Sequence, residues 1–392
     1  MTAANADATT HVAGAASARE AREARDQLAQ RLVDSAVSAM ELFAVHLGLE
    51  LGLYRALDEA STNLDRRSST GGLTESELAA RAGLSARYAR EWLEHQVVSG
   101  LVTCDDPSSP ATDRVYRLPA GHADVLLDAD SPYHTGPLAT MLAGIARALP
   151  LLPDAFRVGG GVPYGAYGDE IREGIRSLNR PGFIHDLAST WLAAMPDVSD
   201  RLDRDPPARV LDLGCGEGAS TLALAAAYPR IRILGVDLDA PSIAAAQAAA
   251  AHVGLGNRVT FVLADASHAS EDGPFDFATI FEALHDMGDP VGVLRAVREG
   301  LAADGTLLVA DERVADEFTA TPDDVERLQY GFSVLHCLPA TMAEDPVEAA
   351  GTVLRAPTVQ RWAAAAGFAA CTRLEVDHDF WQFYRMDRSG DA

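Results

Sequence analysis

The sequence predicts an α/β fold: a seven-stranded sheet, parallel except for its last strand, preceded by a smaller and mostly α-helical domain. Three observations point there. From Arg209 onward, short apolar runs alternate with helix-forming stretches, the pattern of a parallel sheet with helices on both faces. The first run, 210–213, ends in Gly214, Gly216 and Gly218, and a helix-forming run follows at once, so a strand turns into a helix through a tight glycine loop. Upstream, signals for helix, turn, helix and hairpin succeed one another between residues 73 and 118, the order of a winged helix.

At 392 residues the chain has room for more than one core. Its 48% hydrophobic and 23% charged residues are ordinary for a soluble globular protein. No apolar run approaches a membrane span and no signal-peptide core is present, so no membrane partner is expected. Cys104, Cys215, Cys337 and Cys371 are scattered, which argues against disulfides or a cysteine zinc site and fits a reducing cytoplasm. A formal net charge of −25 makes bulk affinity for nucleic acid unexpected.

In chain order, residues 1–28 read as a disordered lead-in and 29–128 as a winged-helix, dimerisation-like domain. Val33, Val37, Met40, Phe43, Leu47 and Leu51 recur at helical spacing over 32–57, with Gly48 and Gly52 able to split the run into two helices. That apolar stripe needs burial, which suggests a homodimer. A polar linker spans 61–72. Thr74 with Glu77 forms a capping box, Gly83 ends the helix, and Ser85 can cap the next. Strands at 101–104 and 115–118 complete the wing. Arg81, Arg87, Arg90, Arg114 and Arg117 face nine acids over 71–128, so the domain lacks a basic footprint and reads as a scaffold rather than a DNA reader.

Residues 129–204 read as a helical bridge, with helices at 138–149, 169–178 and 183–195. Its loop at 159–167, rich in Gly and Tyr, is a hinge, a pocket wall or a plain connection. Trp191 and Met195, one helical turn apart, read as core. Residues 205–392 form the sheet domain, with strands at 210–213, 231–236, 259–263, 275–281, 306–310, 371–376 and 380–385. Helices are expected at 219–227, 240–252, 289–302 and 358–366. The short turn at 377–379 requires the last strand to run antiparallel to the one before it. A lid-like insertion spans 316–353, with a helix at 323–335.

The glycine loop also satisfies a dinucleotide fingerprint, with Ala219 in its last place. Asp237, 19 residues after Gly218, ends the second strand where it can bind two ribose hydroxyls of either cofactor. Asp212 can brace the loop, and Asp265 follows the third strand where it can meet an adenine amino group. The segment 209–311 resembles a class I S-adenosylmethionine-dependent methyltransferase, carried by Asp212-x-Gly214-x-Gly216-x-Gly218, Asp237 and Ala264-Asp265-Ala266. The winged helix extends the resemblance to bacterial two-domain and small-molecule O-methyltransferases. It implies a seven-stranded Rossmann-like sheet, S-adenosylmethionine as cofactor, and a small-molecule acceptor. Leu238, Ala266 and Phe281 join the implied cofactor contacts.

Leu284-His285-Asp286 is similar to the Leu-His-Asp-Trp of O-methyltransferases, whose histidine is the general base, with Met287 here replacing the tryptophan. His285 follows the fourth strand at the sheet's carboxyl edge, and its pKa range suits removal of a hydroxyl proton. Glu312 is the first choice for the acid that orients it, and Asp311 the second. His336 and Cys337 lack a second cluster at ligand spacing, so no metal is expected. The expected function is methyl transfer to a hydroxyl of a small molecule. The alternatives are a winged-helix transcriptional regulator whose larger domain senses a ligand and an NAD-dependent oxidoreductase.

Overall fold

The computed structural model describes residues 4–62, 71–268 and 271–388. It divides into two compact units, residues 1–123 and 124–392. In the first, one helix runs Ala4–Glu50, and Gly52, at φ +65°, separates it from Leu53–Thr62. Residues 4–28, expected to be disordered, are therefore helical. Alanine, glutamate and arginine are strong helix formers, and Arg19 pairs with Glu23 one turn on at 3.0 Å. Leu32, Val33, Val37, Met40, Phe43 and Leu47 remain exposed along this helix. Most of the expected linker, 63–70, lies outside the described residues.

The winged helix forms as expected. Thr74 and Glu77 cap helix Glu75–Ala82 reciprocally, and Gly83 closes it in the left-handed region. Ser85 stands at the start of helix Ala86–Val98 but makes no side-chain capping bond. The wing is the antiparallel pair β1 (Thr103–Cys104) and β2 (Tyr116–Arg117). Trp92 joins the layers, donating to the Ala44 carbonyl at 2.9 Å and packing edge-on to Tyr54. Arg87 pairs with Glu91, Arg90 with Glu75, Arg114 with Glu94 and Arg117 with Asp105.

The second unit opens with helices Pro137–Ala148, Leu152–Val158 and Gly168–His185. The break expected at 178–183 is absent: the helix continues through buried Pro181 and passes into a π-helical turn, Leu187–Trp191. The sheet contains β3 (Arg209–Leu213), β4 (Arg232–Asp237), β5 (Val259–Leu263), β6 (Phe275–Phe281), β7 (Leu301–Glu312), β8 (Ala370–Arg373) and β9 (Trp381–Asp387). Its order is β5-β4-β3-β6-β7-β9-β8, with only β9 antiparallel to its neighbours. Strand order reverses between β3 and β6, which opens a crevice at their carboxyl ends. Helices Ala219–Ala227, Ala240–His252, Pro290–Gly300 and Ala356–Ala366 cover the two faces over separate cores.

The insertion folds as helix Asp324–Phe332, a second π-helical turn Ser333–Cys337, and helix Leu338–Met342. The glycine-rich loop packs onto it, so it is more than a connection. Val162 N–H donates to Pro339 O at 2.8 Å and Tyr167 Oη to Leu335 O at 3.0 Å. A Cβ on Gly161 would strike the Ala343 backbone, so this approach requires glycine. Arg19–Glu50 and Pro137–Val158 reach the length and mean hydropathy of a membrane span, which the sequence reading did not expect. The second interrupts its α-helix at 149–151 and packs in a core with Tyr167 and Ile171.

Candidate active site

Two groups of residues meet the carboxyl edge of the sheet. The first is the glycine loop. Gly214, Gly216 and Gly218 all have positive φ, at +66°, +51° and +83°. An added Cβ on Gly214 would lie 2.5 Å from Ala283 Cβ, and one on Gly218 2.7 Å from Phe261 Cζ, whereas the space at Gly216 is open. Asp212 is buried beneath the loop and accepts from Ser220 (2.6 Å), Thr221 (2.5 Å) and Thr279 (2.7 Å). Burial pushes its carboxyl up against those hydroxyls. Two of those hydroxyls belong to the helix that follows the loop and the third to β6.

Asp237 ends β4 and accepts the N–H of Gly216 through Oδ2 and that of Asp239 through Oδ1, each at 2.8 Å. Burial raises its pKa more than those bonds lower it. Leu238 beside it is exposed. Asp265 follows β5, accepts Ser267 N–H at 2.8 Å, and is held below the usual range by that bond. Ala266 is half-buried in the short turn that follows. The insertion adds Glu344, pushed up by burial and then by Asp265 and Asp237. Arginines near the loop are already neutralised: Arg172 by Asp239 at 2.7 and 2.9 Å, Arg176 by Glu217 at 2.5 Å. The donor set therefore suits a diol and an amine better than a pyrophosphate.

The second group surrounds a cavity of about 460 Å³. His285, 2% exposed, sits in the turn after β6, and Asp311 takes its Nδ1 at 2.9 Å. Nε2 lies 3.5 Å from Asp286 Oδ1. Burial opposes protonation of His285, but the charges of Asp311 and Asp286 and the Asp311 hydrogen bond outweigh it and hold the pKa well above the usual value. Burial in turn pushes Asp286 up to about 6. The order of the two orienting acids is thus reversed: Asp311, not Glu312, meets the histidine. Side chains alternate along β7, so Glu312 turns elsewhere and accepts from Gln329.

Phe281, expected at the cofactor, commits its ring to Phe183, Trp191 and Trp381. Trp191 belongs to that core and also lines the cavity, while Met195 is core alone. His336 lines the cavity, its pKa pushed down to about 3 by burial and then by His285. His285, Asp286 and Cys337 bring ligand atoms within 4.8 Å of one another, a grouping the sequence reading did not foresee. It also missed Glu282, which ends β6 in a left-handed conformation (φ +51°) and accepts from Asn179. Four buried polar atoms of residues lining this cavity, His134 Nδ1, Asp286 Oδ1, His336 Nε2 and Thr352 Oγ1, have no hydrogen-bond partner within the protein.

Residues 204–357 match the profile of a methyltransferase domain, and residues 50–127 that of an Rv2258c-like winged HTH domain. The chain carries a methyltransferase domain behind a winged helix. Trans-aconitate 2-methyltransferase of Streptomyces avermitilis is 37% identical over 116 residues, 30% of this chain and 41% of that protein. The 27-O-demethylrifamycin SV methyltransferase of Amycolatopsis mediterranei is 27% identical over 174 residues, 43% of this chain and 64% of that one. The chain thus spans less than two thirds of these relatives. Human N-acetylserotonin methyltransferase in complex with S-adenosylmethionine aligns with a TM-score of 0.66 at 19% identity, covering 92% of this chain and 97% of that one. Mitomycin 7-O-methyltransferase aligns at 0.63 and 20%, covering 93% and 99%. At those identities the likeness is one of fold, around a methyltransferase domain whose two residue groups lie side by side.

Proposed function

We propose that this chain is an S-adenosylmethionine-dependent methyltransferase that methylates a hydroxyl of a small molecule, with His285 as general base. The observation that carries the reading is His285 itself. It is buried on the cavity wall with Nδ1 taken by Asp311, while Nε2 lies on the side of Asp286 and Cys337, 3.5 Å from Asp286 Oδ1. S-adenosylmethionine, when bound, supplies an electrophilic methyl group on a sulfonium. Asp237 would hold its ribose, because each carboxylate oxygen keeps a lone pair after taking one backbone N–H. Asp265 would meet the adenine amino group, and the glycines would allow close approach.

Asp311 orients the imidazole so that Nε2 takes the proton as the acceptor oxygen attacks. Histidine works as a base only when neutral, and Asp311 and Asp286 raise its pKa. Turnover should therefore rise with pH above neutrality. Asp311→Asn removes one of those charges, so the rising limb should move to lower pH while the maximal rate falls by about 100-fold or more. His285→Ala with undiminished turnover of a hydroxyl acceptor would disprove the base assignment. Failure of the wild type to bind S-adenosylhomocysteine by calorimetry would sink the whole reading.

The exposed apolar row Leu32 to Leu47 supports a homodimer through the N-terminal helix. The acid-paired arginines of the winged helix support a scaffold role over DNA binding. Cys104, Cys215, Cys337 and Cys371 are all unpaired thiols, which supports a reducing compartment such as the cytoplasm.

A further inference from the structure

Glu282 and Glu312 stand at the carboxyl ends of neighbouring parallel strands, β6 and β7, and both line the cavity. Both therefore bring a carboxyl group to one site, where burial and then the charge of Glu282 hold the Glu312 carboxyl well above its usual range. One oxygen of Glu282 accepts from Asn179, and one of Glu312 from Gln329. Two carboxylates lining one buried wall favour a cation between them. The backbone of Glu282 is in the left-handed region (φ +51°), a conformation that costs a non-glycine residue free energy and persists where the surroundings enforce it. Asp186, Asp286, Asp377 and Asp379 also line the cavity, and no arginine does so among the described residues. Its other walls include Trp191, Phe332 and Trp381.

We propose that the acceptor carries a protonated amine, which binds between Glu282 and Glu312 while its apolar body lies against Trp191, Phe332 and Trp381. An ammonium donates to the carboxylate oxygens that Asn179 and Gln329 leave free, and aromatic faces favour an organic cation. A divalent metal is the poorer occupant. It needs several oxygen ligands and retains water, whereas here amide donors already occupy part of the carboxylate pair and the walls are aromatic. A carboxylate acceptor would face Asp186, Asp286, Asp377 and Asp379 beside the two glutamates, with His285 as counter-charge. This inference rests on the methyltransferase reading and names its substrate class.

The test uses the full chain loaded with S-adenosylhomocysteine, titrated by calorimetry with tyramine, 4-ethylphenol and 4-hydroxyphenylpropionate. These share a phenol and differ in charge. Tyramine should bind at least about tenfold more tightly than the neutral phenol, the order expected for a charge-assisted hydrogen bond, and the acid should bind weakest. Glu282→Gln should shrink the preference for tyramine over 4-ethylphenol by about the same factor, and unchanged thermal unfolding would show that the fold is intact. Equal affinities, a preference for the neutral or acidic phenol, or no binding of tyramine would overturn the inference. So would saturable Mg²⁺ or Zn²⁺ binding that Glu282→Gln abolishes. Binding of S-adenosylhomocysteine is read first and separately, so its loss counts against the methyltransferase reading and not against the acceptor class.

Discussion

The glycine-loop edge, where we propose the cofactor binds, and the cavity around His285 lie on the same sheet, yet they are built on opposite terms. At the cofactor edge the polar atoms are paid up. Asp212 serves three hydroxyls, Asp237 two backbone N–H groups and Asp265 one. In the cavity, buried polar atoms of His134, Asp286, His336 and Thr352 lack partners, and two glutamates crowd one another. The first site is preorganised for one ligand whose shape the backbone dictates. The second keeps buried hydrogen-bonding groups that no neighbouring protein atom satisfies.

The largest expected effect tests the backbone side of that contrast. Gly218→Val would place a β-branched residue at φ +83° with its Cβ 2.7 Å from Phe261. Backbone strain and overpacking together should cost about 3–5 kcal/mol, with loss of S-adenosylhomocysteine binding. Urea unfolding reads this directly. A variant within about 1 kcal/mol of wild type would mean that the loop is not held as rigidly as its angles imply.

A smaller effect probes the buried titratable groups of the cavity. His336 titrates at about 3 in the folded chain because burial disfavours its charged form. The unfolded chain takes up this proton near pH 6.5, so stability from neutral His336 is present above that pH and is lost as pH falls toward 3. The slope is about 1.4 kcal/mol per pH unit, so roughly 2 kcal/mol is at stake between pH 6.5 and 5. His336→Met removes the titration. Its stability relative to wild type should improve by about that amount on going from pH 8 to 5, measured by urea midpoints. An identical difference at both pH values would show that His336 is not buried as a neutral ring.

This contrast also explains what was legible beforehand. The cofactor edge is local in sequence: glycines at 214, 216 and 218, an acid 19 residues on, and another after β5. Each is dictated by the turn or strand end that carries it. The cavity draws on residues from Pro132 to Trp381, and no spacing rule relates Asn179 to Glu282 or Gln329 to Glu312. His285 was legible through its neighbours, but the choice between Asp311 and Glu312 was not. It depends on which way β7 points its alternate side chains, a matter of tertiary register. Helix Gly168–His185 was read as broken for a related reason, since packing carries it through Pro181 against the local signal.

The smallest expected effect separates two aspartates that look alike in sequence. At Asp237 both carboxylate oxygens accept a backbone N–H, so an asparagine there must turn its NH₂ toward Gly216 or Asp239 and leave a buried donor unpaired. Such a mismatch costs about 1–3 kcal/mol and disturbs the loop. Asp265 is exposed and accepts the backbone N–H of Ser267, which an asparagine oxygen can also accept. Asp265→Asn should therefore leave stability within about 0.5 kcal/mol and weaken S-adenosylhomocysteine by no more than about fivefold. Asp237→Asn should weaken it by at least tenfold more. If calorimetry found the two variants equal, the wiring of Asp237 to the glycine loop would not be what holds the cofactor. The ribose would then have to be gripped from elsewhere, with Glu344 of the insertion a further acid to test.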